Sequence, residues 1–175
     1  MACTIIATPQ DDCNTRVIPG IAEILLIEKE YVVFPLTVGA GEVATIPKTV
    51  GQVFKRFNNF KKKANSTTEY EFDENNGTGY MSSKIMGQLN NIRTVLYEAL
   101  RTYATGVELI AVVRFKNGTQ QIIGEQDAPL YLVKLTASPG TDEKGQLNKV
   151  DVEFSVAGLQ TLPLTYTGTM AALLV

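Results

Sequence analysis

Histidine is absent from all 175 residues, and so is tryptophan. Without histidine the chain lacks the commonest general base and the commonest metal ligand together. Charge is sparse as well: charged residues make up 19% against 45% hydrophobic, enough apolar material for a core and too little charge for disorder. Sixteen basic and eighteen acidic side chains leave −2, a balance that points to neither nucleic acid nor membrane. No stretch approaches the roughly 20 apolar residues that cross a bilayer as a helix. The start, Met1 to Ala7, lacks a basic region and a long apolar run, so no secretory leader is expected. Cys3 and Cys13 are the only thiols. Two lone cysteines without histidine do not make a zinc site, and in a reducing compartment they stay unpaired. The sequons at Asn65, Asn76 and Asn117 then read as loop chemistry. These absences lean away from an enzyme and toward a protein that binds or builds.

What is present is mostly strand. Ile21–Glu28, Tyr31–Leu36, Glu42–Ile46, Val53–Phe60 and Thr67–Phe72 read as strands, with Gly39-Ala40-Gly41 as a turn. Val107–Phe115 is apolar on both of its faces, the mark of a strand buried on both sides. Asn117-Gly118 predicts a tight type I′ hairpin into Gln120–Gly124. Leu130–Thr136 is a further strand, and 138–145 is a polar loop. In Asn148–Ala157, Val150, Val152, Phe154 and Val156 alternate with Lys149, Asp151, Glu153 and Ser155, so one face meets a core and the other meets water or a lumen. Gly158 is expected to end that strand, and Leu162–Tyr166 reads as an edge strand. One long helix is predicted over 83–104: Ser82 and Ser83 are candidate caps, and Ile85, Leu89, Ile92, Leu96, Leu100 and Tyr103 recur at helical spacing before Gly106. The apolar tail, Met170–Val175, reads as a last strand or a strap on a neighbour. There is no internal repeat. The expected class is mainly β (α+β), a β-sandwich or barrel of short antiparallel strands with one packed helix.

No constellation carries catalysis. The pairs Asp11-Asp12 and Asp142-Glu143 lie in turn-like sequence, Gly39–Gly41 and Gly77–Gly79 are too short for phosphate loops, and no pattern marks a serine or lysine nucleophile. No catalytic residue, cofactor-binding residue or metal ligand is assigned. The charged feature that stands out is local: Lys55, Arg56, Lys61, Lys62 and Lys63, followed by Glu69, Glu71, Asp73 and Glu74. An antiparallel return there is expected to bring opposite charges together and form a hairpin suited to docking on another copy, with a plain solvated hairpin as the simpler reading. Phe54, Phe57 and Phe60 among the basic residues leave base stacking open as a third.

The layout resembles the tail tube proteins of tailed bacteriophages, in particular those of phages and prophages of Bacteroidetes-type bacteria. The landmarks are Met1-Ala2-Cys3, Asp12-Cys13 and Pro19-Gly20-Ile21 leading into an apolar strand, then the helix, the strand Glu108–Arg114, the hairpin at Asn117-Gly118, Gly124 and the polar strand Asn148–Ser155. The resemblance implies a single tail-tube-like domain over 1–175 with an N-terminal arm (about 1–18) and an extended hairpin (about 58–80). It implies a virion protein, made in the host cytoplasm, whose copies form stacked and hexameric rings. The other partners it implies are tail proteins and DNA that passes through the lumen unbound; it implies no membrane. The hairpin, with Lys61, Lys62, Lys63, Glu69, Glu71, Asp73 and Glu74, is the expected contact between subunits, and Asp151 and Glu153 are expected to face the lumen. A ring or connector of a short-tailed phage, or the inner tube of a contractile injection system, shares this design. A small ligand-binding β-sandwich is the reading of another class, and zero tryptophan speaks against an aromatic pocket of that kind.

Overall fold

The computed structural model describes residues 20–57, 64–73, 78–90, 94–138, 149–159 and 161–175. The N-terminal arm with both cysteines and Asp11-Asp12, the segment holding Lys61, Lys62 and Lys63, the hairpin tip with Glu74, and the loop with Asp142-Glu143 lie outside them. Ten strands and one α-helix follow in chain order: β1 (Ile21–Glu28), β2 (Glu42–Val43), β3 (Lys55–Phe57), β4 (Asn65–Asp73), β5 (Thr78–Asn90), α1 (Thr94–Tyr103), β6 (Leu109–Phe115), β7 (Gln120–Ile123), β8 (Tyr131–Ser138), β9 (Lys149–Leu159) and β10 (Leu164–Tyr166). They form a six-stranded sheet, β2-β10-β7-β6-β1-β3, and a four-stranded sheet, β4-β5-β9-β8. The expected mainly-β sandwich with one helix is what the chain adopts.

The sheets are held by two apolar clusters. Ile24, Leu26, Ala111 and Val113 of one sheet meet Ile85, Leu89, Val152 and Phe154 of the other, and Leu100 and Tyr103 bring α1 into this core. The opposite face of the six-stranded sheet, Leu25, Ile27, Val43, Ile110, Val112, Ile122 and Tyr166, is covered by Val32, Ile46, Phe54 and Leu173. β6 is thus buried on both faces, which is why its sequence hardly alternates. The tail closes this second layer. Leu173 sits in a short 3₁₀ turn, Met170–Leu173, its carbonyl accepts from Phe54 N at 3.1 Å, and Lys48 Nζ reaches the carbonyls of Leu173 (3.1 Å) and Val175. The apolar tail is therefore a strap on its own chain.

The long helix is shorter than its periodicity predicts. Residues 83–90 belong to β5, with Ser83, Ile85 and Leu89 buried. Ile85 and Leu89 are four apart, an even number, so they share a face of a strand as well as of a helix. Hydrogen-bonded neighbours on both sides, β4 and β9, decide for the strand over local helical preference. The real helix keeps the predicted end, with Gly106 at φ +85° and its N–H on the Tyr103 carbonyl.

Other strand boundaries also shift. The expected strand Tyr31–Leu36 is instead a 3₁₀ turn (Lys29–Tyr31) and one bridge, Val32 with Lys48, because Pro35 cannot donate to a ladder. Glu42–Ile46 shrinks to two residues, and the described part of Val53–Phe60 to Lys55–Phe57. Gly158 does not end β9. It takes φ +79° inside it, where the register against β5 slips between Met81 and Ser82, so it serves a bulge. The hairpin at Asn117-Gly118 is a three-residue loop in which only Gly118 has positive φ (+92°): Gly118 N donates to Phe115 O and Phe115 N to Thr119 O. β10 lies one place in from the edge, between β7 and the two-residue β2.

Candidate functional site

The expected hairpin is formed by β4 and β5, paired from Asn65↔Met86 to Asp73↔Thr78. β9 accompanies β5 only from Met81 to Asn90, so residues 71–73 and 78–80 run on as a two-stranded ribbon beyond the sheet, with Tyr70 at its base. Inside the sandwich the inward face of this pair is covered, and Thr68 Oγ1 lies 2.7 Å from Ser83 Oγ. On the ribbon the same face is open: Tyr70 is 64% and Phe72 55% exposed. The Tyr70 ring lies across Gly79, where a Cβ would come within 2.7 Å of Tyr70 Cζ, so a larger residue there would push the ring aside. Two-stranded hairpins are marginal on their own in water, and one that shows aromatic rings gains most by covering them.

Glu69 and Glu71 stand on the other face, where Tyr80 Oη donates to Glu71. Their strand pairs with β5, and Lys61, Lys62 and Lys63 of the basic segment lie outside the described residues. Glu69 pairs with Ser82 and Glu71 with Tyr80, while Lys55 and Arg56 pair with β1 in the other sheet. Asp73 ends β4 opposite Thr78.

Asp151 and Glu153 lie on the outward face of the four-stranded sheet, as the alternation in β9 predicts. Gln88 Nε2 donates to Asp151 Oδ1 at 2.7 Å, and Lys84 Nζ is 3.1 Å from Glu153. On the far side the register sets Lys134 beside Glu153 and Thr136 beside Asp151. A shallow depression runs between them, floored by Gly87 and Val152. The acidic stripe is therefore balanced by lysines, a wall of mixed charge. Among the described residues, no group of three or more Asp, Glu, Cys or His is placed to hold a metal.

Sequence reasoning missed two charged clusters. At one end of the sandwich, the buried carboxylate of Glu23 lies between Arg56 Nε (2.5 Å) and Arg114 Nε (2.6 Å). The second contact is an ion pair without an aligned N–H, so the buried Arg114 Nε stays short of a full hydrogen bond. The signal was there: Glu23 and Arg114 each interrupt an apolar run, and they are direct antiparallel partners. At the other end, Glu108 takes Lys29 Nζ at 2.5 Å and the Tyr131 hydroxyl at 3.0 Å. These hydrogen bonds, Lys29 first, hold its carboxyl below the usual carboxylate range.

Comparison with protein-family models, curated proteins and solved structures returned no match. The functional reading therefore rests on which surfaces the fold leaves open. Those are the two edges of the four-stranded sheet, the ribbon, and the outward charged face. β4 and β8, nine and eight residues long, have no strand on their outer sides among the described residues. At about 3.4 Å per residue each edge is about 27–31 Å of backbone.

Proposed function

We propose that this chain is a structural virion protein, a phage tail tube subunit whose copies join into hexameric rings stacked around a DNA-conducting lumen. The observation that carries the reading is the pair of long open edges on one sheet. A protein that works alone blunts such edges or covers them, because unpaired N–H and C=O groups recruit other chains. Here β4 and β8 flank the same sheet and are of matching length, so the β8 edge of one copy can take the β4 edge of the next. Repetition of that head-to-tail contact closes a ring.

In such a ring the outward face of the four-stranded sheet becomes the inner wall. Asp151 and Glu153, screened by Lys84 and Lys134, then face the lumen. A wall of balanced charge neither traps the phosphate backbone, as a basic one does, nor opposes its entry as strongly as a uniformly acidic one. The ribbon is the reach toward the next ring, where Tyr70 and Phe72 find cover. No catalytic step is part of this reading.

The test is electron microscopy of the purified protein at high concentration, alone and with a tail-tip initiator complex. Sixfold rings that stack support the tube. A twelvefold or single ring moves the assignment to a connector. A chain that stays monomeric even with the initiator contradicts the proposal and favours a small binding module.

A further inference from the structure

The described charges are not mixed evenly along the strands. Several contacts order the two ends. Ile21 N donates to Ala64 O and Lys116 N to Gly20 O, which sets the Glu23–Arg114 end of β1 and β6 at the root of β4, away from the ribbon. At the opposite end, Lys29 N donates to Glu108 O, Lys29 Nζ reaches Gln126 O, and Thr161 Oγ1 donates to Glu125 at 2.8 Å. Thr161 lies two residues past the ribbon-side end of β9, so that end and the ribbon are the same end of the molecule.

The two ends differ in sign. The ribbon end carries Glu69, Glu71, Glu108, Glu125 and Asp127, with Lys29 beside Glu108. The root end carries Arg56, Arg114 and Lys116, and Lys149 begins β9 on that side. Its acid, Glu23, is buried and engaged by both arginines, which remain 46% and 41% exposed in their side chains. One carboxylate oriented between two guanidinium groups leaves a net positive pair whose Nε ends are fixed and whose outer ends reach solvent. With a net charge of only −2 over the chain, this is segregation of charge and not an excess of one sign.

We propose that copies of this chain stack end to end by charge, the acidic ribbon end of one copy seated on the basic root end (Arg56, Arg114, Lys116) of the next. The inference rests on the tube reading and names the two surfaces that meet when rings stack. The partner is a second copy because both signs occur on one chain, at opposite ends, the arrangement that a repeating head-to-tail contact requires.

The experiment is a heterotypic rescue, read by light scattering and negative-stain microscopy. In one variant, Glu69→Lys with Glu71→Lys removes the acidic excess of the ribbon end while the root end stays basic. In the other, Lys116→Glu with Lys149→Glu makes both ends acidic and leaves the Glu23 cluster intact. Thermal melts like that of the parent chain establish that each variant is folded. Each alone should need about tenfold more protein to stack, and an equimolar mixture should regain stacking, now alternating. Raising salt should weaken stacks of the parent chain. Variants that stack alone like the parent, or folded variants whose mixture does not recover, overturn the end-to-end pairing while rings and tubes of the parent chain keep the tube reading intact. A parent chain that never associates overturns both.

Discussion

The two sheets of this protein are built to opposite ends. The six-stranded sheet is covered on both faces by its own chain, one by the other sheet and one by the 29–54 segment and the tail. Its edge strands, β2 and β3, are only two and three residues long. The four-stranded sheet is covered on one face, and its edges are long and open among the described residues. The same chain thus protects one sheet against pairing and leaves the other ready for it. Where a sequence puts apolar residues on both faces of a strand, as in β6, the fold is finished by burial. Where it alternates, as in β9, one face remains exposed.

That contrast can be broken by mutation. Leu26→Ala, deep between the sheets, should lower monomer stability by about 2–5 kcal/mol in chemical denaturation, whereas Phe72→Ala on the ribbon should change it by less than about 0.5 kcal/mol and instead impair stacking. Removing residues 170–175 strips Leu173 from the second cluster. A loss of about 1.5–3 kcal/mol is expected, with ring formation intact under conditions where the monomer stays folded. Replacing Lys61, Lys62 and Lys63 with glutamate should leave the melt unchanged and hinder stacking, and normal tubes from that variant would remove this segment from the contact. Tyr103→Phe acts in the other direction. The Tyr103 hydroxyl is buried without a partner among the described residues, so its loss should be neutral or raise stability by up to about 1 kcal/mol.

The same tyrosine has a pH signature. Burial, with Glu28 adding to it, pushes its hydroxyl well above the usual value of 10. The folded state then holds the proton that the unfolded chain releases, so stability should fall as pH rises above about 10, and Tyr103→Phe should flatten that slope. Glu108 acts at the other limit. Its depressed carboxyl contributes stability above the unfolded value, and that contribution is lost as pH falls through the folded one. A Glu108→Gln variant should show a weaker acid dependence in thermal melts.

Much of the core was legible in the residues. β1, β6, β8 and β9 follow their apolar patterns, and the helix ends at Gly106 as its capping chemistry predicts. Residues 83–90 misled because Ile85 and Leu89 fit two periods, and only the long-range pairing with β4 and β9 resolves them. Glu69 and Glu71 were found as an exposed acidic strand, but their partners were not, since register depends on which distant segment lies opposite. The Glu23–Arg56–Arg114 cluster was hidden for the same reason: its members are far apart in sequence and meet only across three strands.

The central claim is that β4 and β8 are joined copy to copy. Amide hydrogen exchange of monomer and assembly tests it directly, read on residues 65–73 and 131–138. Protection gained on both strands in the assembly, with β1 and β6 already protected in the monomer, is the predicted result. Exchange on β4 and β8 as fast in the assembly as in the monomer would contradict the account.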